Sequence, residues 1–241
     1  MSILSVALDC GQNKTWLTLP ATTAELNKAL LDINALDKPY TIGDYQTSMN
    51  VPHEEMRKII IGGDINELNY LAARLAELPQ SDIDTLAAVM ETPDAIPSIA
   101  VMIDFTYNTE FHNLMPEVHT TVDLAQSYIF DSGLVNMPDK WKNGIDLYAF
   151  GTNLEELSVG VYTTKGFLSP SGDEWNEVFE KNGVVPQEYR IENYMATAEK
   201  SVREAPRKQK KPSILGELKA AIQEATKTKA TAEKKPQNID L

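Results

Sequence analysis

The 241-residue chain contains a single cysteine, Cys10. No disulfide can form within it, and a reducing, cytoplasmic setting is the expectation. Histidine is also scarce: His53, His112 and His119 are all there is. His112 and His119 stand seven residues apart, a spacing that fits no standard helical metal motif, so no metal and no cofactor are expected. No apolar run approaches the ~18 residues needed to span a bilayer. The N-terminus lacks the basic stretch and long apolar core of an export signal. Also missing are a P-loop, G-x-S-x-G, H-E-x-x-H and C-x-x-C. Gly62-Gly63 leads into an acidic helix start and so is no phosphate cradle. Glu155 and Glu156 are adjacent, and adjacent side chains point apart in either regular structure. Nothing local argues for an enzyme.

Positive charge is short too. The chain holds 22 bases against 35 acids, a net charge of −13. The tail from Lys200 holds 11 bases and 5 acids, which leaves 11 bases and 30 acids, or −19, on residues 1–199. A small soluble domain typically carries a net charge of magnitude ~2–8. A surplus of this size opposes compaction by self-repulsion and calls for a reason. It repels nucleic acid from the body and favours a basic partner, and the most basic common surface in a cell is one that normally holds DNA. By section the charge is −2 over residues 1–61, −6 over 62–98, −6 over 99–168 and −5 over 169–199.

The chain is organised around residues 62–93, which read as two amphipathic helices broken at Pro79. Asp64 and Glu67 form a start signal in which the first carboxylate accepts from free amides and the second reaches back. Leu68, Leu71, Leu75 and Leu78 make the apolar stripe. Ser81 and Asp84 restart the pattern, Asp84 as a capping residue, with Ile83, Leu86, Ala87 and Met90 on the buried face. Between Gly62 and Ser98 the acids Asp64, Glu67, Glu77, Asp82, Asp84, Glu91 and Asp94 face a single base, Arg74. Each helix is expected to be apolar on one side and negative on the other.

Ahead of this pair, residues 3–8 and 15–19 read as a hairpin around Gly11, Gln12 and Asn13. Thr22 and Glu25 cap a helix with Leu26, Ala29, Leu30 and Ile33 inward. Residues 40–45 form a short strand in which Gly43 relaxes a bend. Residues 51–61 read either as a helix starting after Pro52 or as a buried strand ending in Ile59, Ile60 and Ile61. After the pair, residues 99–107 read as a strand. Thr120 and Asp123 cap a helix with Leu124, Tyr128 and Ile129 inward and Gly133 as its terminator. Residues 146–153 fit a helical turn or a strand end. Residues 157–168 alternate as a hairpin with Lys165-Gly166 at its turn, and 173–181 read as a short acidic helix. From Lys200 the composition turns rich in Lys, Ala, Thr, Glu and Pro without aromatics, which marks a disordered tail. Residues 213–225 within it form at most a transient helix.

In LTLPATTAEL (17–26), YTIGDY (40–45), INELNYLAARLAEL (65–78) and VDLAQSYIFDSGLVNMPDKW followed by IDLYAFGTNL (122–154), the chain resembles the ArdA-type antirestriction proteins. The resemblance covers roughly residues 15–168. It implies an α+β fold, an elongated chain of three small α/β units with the middle one a helical bundle, and dimer contacts in the third. On this chain that corresponds to residues 1–61, an acidic helical unit at 62–98, an α/β unit with extension at 99–199, and the basic tail at 200–241. Many relatives read Gly-Arg-Asp where this chain has Gly151-Thr152-Asn153. The function implied is non-enzymatic: an acidic homodimer that mimics DNA and occupies the DNA-binding groove of a type I restriction–modification enzyme. The expected partner-binding face then comprises Asp64, Glu67, Glu77, Asp82, Asp84, Glu91, Asp94, Asp123, Asp131, Asp139, Glu155 and Glu156. The alternatives are an acidic adaptor or regulator of another basic DNA-binding protein, and a small hydrolase with carboxylate chemistry.

Overall fold

In a computed structural model, residues 3–93, 96–133, 136–157 and 160–191 are described. All of them lie within one unit, Met1–Asn193. Asp94, the tail from Lys200 and the helix read over 213–225 lie outside the described residues. The fold is a mixed α/β one. Strands β1 (Leu4–Cys10) and β2 (Asn13–Leu19) precede helix α1 (Thr23–Asp32), strand β3 (Thr41–Thr47) and helix α2 (His53–Ile60). Helices α3 (Ile65–Glu77), α4 (Gln80–Met90) and α5 (Ile99–Phe105) follow, then strand β4 (His112–Met115). Helix α6 (Thr121–Gln126) runs on into a π-helical turn at Ser127–Asp131, followed by α7 (Asp139–Lys142) and α8 (Leu147–Leu157). Strands β5 (Val161–Thr163) and β6 (Gly166–Pro170) and helix α9 (Phe179–Asn182) follow, and short 3-10 turns lie at Thr109–Phe111 and Gln187–Tyr189. Among the described residues no helix is long and apolar enough to cross a membrane.

Both sheets are antiparallel, in the orders β2-β1-β3 and β4-β6-β5. In the first, Val6 faces Leu17 on one side and Tyr45 on the other. The register slips where Ala7 pairs with Asp44 and Leu8 with Ile42, which leaves Gly43 as the extra residue of a bulge. A Cβ at Gly43 would run into the Asp9 carboxylate, so glycine lets that side chain keep its place over the bend. Thr22 and Glu25 form the expected capping box: the Thr22 hydroxyl accepts from the Glu25 amide, and the Glu25 carboxylate accepts from the Thr22 amide at 2.7 Å. Residues 51–61 resolve as helix, because Met56, Ile59 and Ile60 fall on one face and are all buried.

The strand expected over 99–107 is a helix. Ser98 accepts from the Val101 amide at 3.2 Å and starts α5, in which Met102, Ile103 and Phe105 are fully buried. A helix enclosed on most of its circumference reads as an unbroken apolar run, and such a run does not separate it from a buried strand. The helix expected over 173–181 shrinks to Phe179–Asn182. Its first half is drawn away from helical bonding by Asn108, whose side-chain carbonyl accepts from the Asn176 amide at 2.8 Å and whose side-chain amide donates to the Asn176 carbonyl at 2.9 Å. Tyr128 is exposed rather than inward, while Leu124 and Ile129 are buried as expected. Where α6 passes into the π-helical turn the angular step per residue changes, so a 3.6-residue stripe no longer predicts the face.

Residues 171–191 form a strap that packs onto α3 and α5. The fully buried Asp104 carboxylate accepts from the Phe179 amide at 2.5 Å and the Glu180 amide at 3.0 Å. Asn66 Oδ1 accepts from the Ile191 amide at 2.8 Å. Asn69 Nδ2 donates to the carbonyls of Tyr189 at 2.9 Å and Ala21 at 3.2 Å, and its Oδ1 accepts from the Ala21 amide at 2.6 Å. The Tyr70 ring lies 5.8 Å from Phe179 and 4.9 Å from Tyr189. Phe179, Val185 and Ile191 thereby join the main core, which begins at Leu4; a smaller cluster gathers Val118, Leu124 and Phe167.

One side chain, Asn69, thus ties the β2–α1 connection and the strap to α3. Asn69→Ala would leave the buried amide and carbonyl of Ala21 and the part-buried Tyr189 carbonyl without this partner, at about 1–3 kcal/mol. The expected outcome is a clear drop in the urea midpoint with an unchanged slope; an unchanged midpoint would show that the tie contributes nothing.

Candidate functional site

The acids of the helical pair differ in what holds them. Asp64 is exposed at the N-terminus of α3, where its Oδ1 accepts from the Asn66 amide at 2.9 Å and the Glu67 amide at 3.2 Å. Glu67 forms no capping box with it. Its carboxyl is half-buried, and burial first, then the Asp64 charge, raises its pKa above the ordinary carboxylate range. Glu77 is exposed and pairs with Arg74 at 2.7 Å. Asp82 takes a bond from Ser81 at 3.3 Å.

Asp84 does not cap a helix. Helix α4 starts earlier, after Pro79, and Asp84 within it pairs with Lys165 Nζ at 2.9 Å and accepts from Gln80 at 3.3 Å. Glu91, at the end of α4, accepts from the Thr164 amide at 2.7 Å and from the Thr164 hydroxyl. The end of α4, from Leu86 to Met90, is buried all round rather than on one face.

The acids around α6 and α8 divide in the same way. Asp123 completes a capping box with Thr120, and bonds from the Thr120 hydroxyl and the His119 amide hold it below the usual carboxylate range. Glu155 accepts from the Tyr162 hydroxyl at 2.5 Å and the Thr121 hydroxyl at 2.7 Å, and in that order they lower its pKa. The Tyr162 phenol is pushed up to about 12, by burial first and by this bond second. Close approach of α8 to α6 is what lets Thr121 reach Glu155, and it requires Gly151, where a Cβ would strike the Thr121 carbonyl. Glu156, Asp131 and Asp139 are exposed, and Asp139 lies 3.9 Å from Lys142.

The bases reveal what the sequence did not. Four bases fall between residues 62 and 168: Arg74, Lys140, Lys142 and Lys165. The side chains of Arg74, Lys142 and Lys165 are 22%, 13% and 19% exposed, against 60%, 91% and 36% for their partners Glu77, Asp139 and Asp84. Arg74 is clamped between the Thr106 hydroxyl and carbonyl, each at 3.2 Å, with its guanidinium 4.2 Å from the Tyr107 ring centre. Lys142 sits 5.8 Å above the Phe130 ring. In the first section, by contrast, Lys14, Arg57 and Lys58 keep 45%, 41% and 67% of their side chains in water. From α3 to β6 three of the four bases are drawn in, Lys140 remaining exposed, and each of the three lies against a carboxylate more exposed than itself.

Sequence reasoning also missed a group of exposed aromatics around α6–α8: Tyr128, Phe130, Trp141 and Tyr148. The density of rings over 141–150 was the available signal. Among the described residues no group of three or more His, Cys, Asp or Glu side chains is arranged to hold a metal ion. The family described as antirestriction protein (ArdA) matches residues 12–169. A comparison with curated proteins returned no match.

Glu67 gives a test of the electrostatics. With its folded pKa above the unfolded one, the native state binds the proton more readily, so stability falls as pH rises through the window between the two values. At neutral pH the ionised side chain therefore opposes folding. Glu67→Gln should raise the urea midpoint near pH 7 and leave it unchanged near pH 3, below the window; equal midpoints at neutral pH would contradict the assignment.

Proposed function

Because the chain belongs to the ArdA antirestriction protein family, we propose that it protects incoming mobile DNA by mimicking duplex DNA and filling the DNA-binding groove of a type I restriction–modification enzyme, without catalysing a reaction. The observation that carries this reading is the withdrawal of Arg74, Lys142 and Lys165, three of the four bases of residues 62–168, against carboxylates more exposed than they are. Duplex DNA presents one negative charge per ~1.7 Å of axis with no bases of opposite sign among them. A protein approaches that pattern by displaying acids and withdrawing bases, and residues 62–168 withdraw three of their four bases, leaving Lys140 exposed. Residues 1–61, with balanced and exposed charge, contribute least. The same body repels nucleic acid.

The working form in this reading is a homodimer, which supplies a longer track of charge. The exposed rings of Tyr128, Phe130, Trp141 and Tyr148 support it, since rings left in water at a surface are typical of an interface core.

Affinity in such a mimic comes from many screened contacts. Asp82, Glu77, Asp131 and Glu156 are the informative positions, because none of them caps a helix or joins two elements. Neutralising any one to Asn or Gln should weaken inhibition about twofold. Neutralising all four should weaken it more than tenfold and flatten its salt dependence. A single all-or-none acid among them would instead indicate a reactive carboxylate, and a monomer at micromolar concentration by sedimentation would remove the dimer from the reading.

A further inference from the structure

Two acids of the expected binding face, Asp84 and Glu91, are engaged by groups of the chain itself. They stand seven residues apart on α4, about two helical turns, and so share one side of it. Both reach the same turn of the β5–β6 hairpin. Asp84 pairs with Lys165 Nζ at 2.9 Å, and Glu91 accepts from both the amide and the hydroxyl of Thr164. The receiving turn is itself stiff: Thr163 Oγ1 donates to the Gly166 carbonyl at 2.8 Å and accepts from the Lys165 amide at 3.1 Å. From that turn the hairpin leads directly to the second acidic region. Phe167 packs with Val118 and Leu124, and the Tyr162 hydroxyl holds Glu155 of α8.

We infer that Asp84, Glu91, Thr164 and Lys165 form a clasp that positions the α6–α8 acids relative to those of α3 and α4, and that these two carboxylates serve the partner by fixing geometry rather than by touching it. This rests on the reading of the protein as a DNA mimic. Apolar contact between α4 and the sheet is non-directional and tolerates sliding, whereas a charge-assisted bond fixes direction and distance. A mimic needs that fixity, because phosphate spacing in a binding groove is set and misplaced charges lose their contacts together.

Lys165 separates the clasp from simple charge display by the sign of its effect. Lys165→Met makes the body more negative by one, so charge display alone requires inhibition equal to or better than that of the unmodified chain. The clasp requires the opposite. The test is inhibition of a type I restriction enzyme by the full chain at two salt concentrations, with near-ultraviolet circular dichroism as the folding check. Lys165→Met should inhibit about three- to tenfold less well, and the charge swap Asp84→Lys with Lys165→Asp should recover most of the loss. Should Lys165→Met fail to fold, Thr164→Val removes the hydroxyl bond to Glu91 without any change of charge, and it should also weaken inhibition while Asp82→Asn weakens it less. Inhibition by folded Lys165→Met as good as or better than the unmodified chain's would overturn the clasp, as would Thr164→Val that folds and inhibits normally. An unmodified chain that does not inhibit at all would instead overturn the reading as an inhibitor.

Discussion

Carboxylates on a protein surface repel one another over a Debye length of about 8 Å at physiological salt, and residues 1–199 carry 30 acids against 11 bases. The fold meets this repulsion from below. Its apolar core runs from Leu4 to Ile191 and is non-directional, so it stabilises the chain without neutralising any surface charge. Of the four bases that could have softened the field between residues 62 and 168, three are drawn in, among them Arg74 against Tyr107 and Lys142 against Phe130. The rings give each cation a partner that is not an acid, which leaves more of the carboxylate charge facing outward. Capping supplies a second device. Asp64 and Asp123 take helix-start amides, so part of the acid surplus is stabilised locally where the helix macrodipole favours negative charge.

Local signals were legible in the sequence. The Thr22–Glu25 and Thr120–Asp123 boxes, the bend at Gly43 and the stripe of Leu68, Leu71 and Leu75 each depend on residues a few positions apart and stand as read. Leu78, also read into that stripe, falls just past the end of the helix. What depended on distant partners was not legible. The 99–107 run carries no periodicity to betray a helix, because α3 and the strap enclose α5 from outside. Asp84 looks like a helix cap, yet it lies within α4, and its partner is Lys165, 81 residues later. The count of acids could be read at once; the withdrawal of Arg74, Lys142 and Lys165 could not, since it is a property of packing.

The family match ends at residue 169, yet the core does not. Buried Asp104 and the amides of Asn66, Asn69 and Asn108 each bind backbone of the strap. Left unpaired, buried polar groups of this kind destabilise a fold. Residues 171–191 are therefore part of the same packed body as the matched region. The strap also adds Asp173, Glu174, Glu177, Glu180 and Glu188 against Lys181 and Arg190, in keeping with the charge of the body it joins.

DNA mimicry makes one demand that no other use of an acidic surface makes: the protein and the duplex must exclude each other from the same groove. The direct measurement is competition, with a labelled duplex bound to a type I restriction enzyme and displaced by increasing amounts of this protein at fixed salt. Mimicry predicts complete displacement, with an apparent affinity that falls in proportion as duplex concentration rises. Formation of a ternary complex of enzyme, duplex and this protein, or inhibition indifferent to duplex concentration, would contradict it.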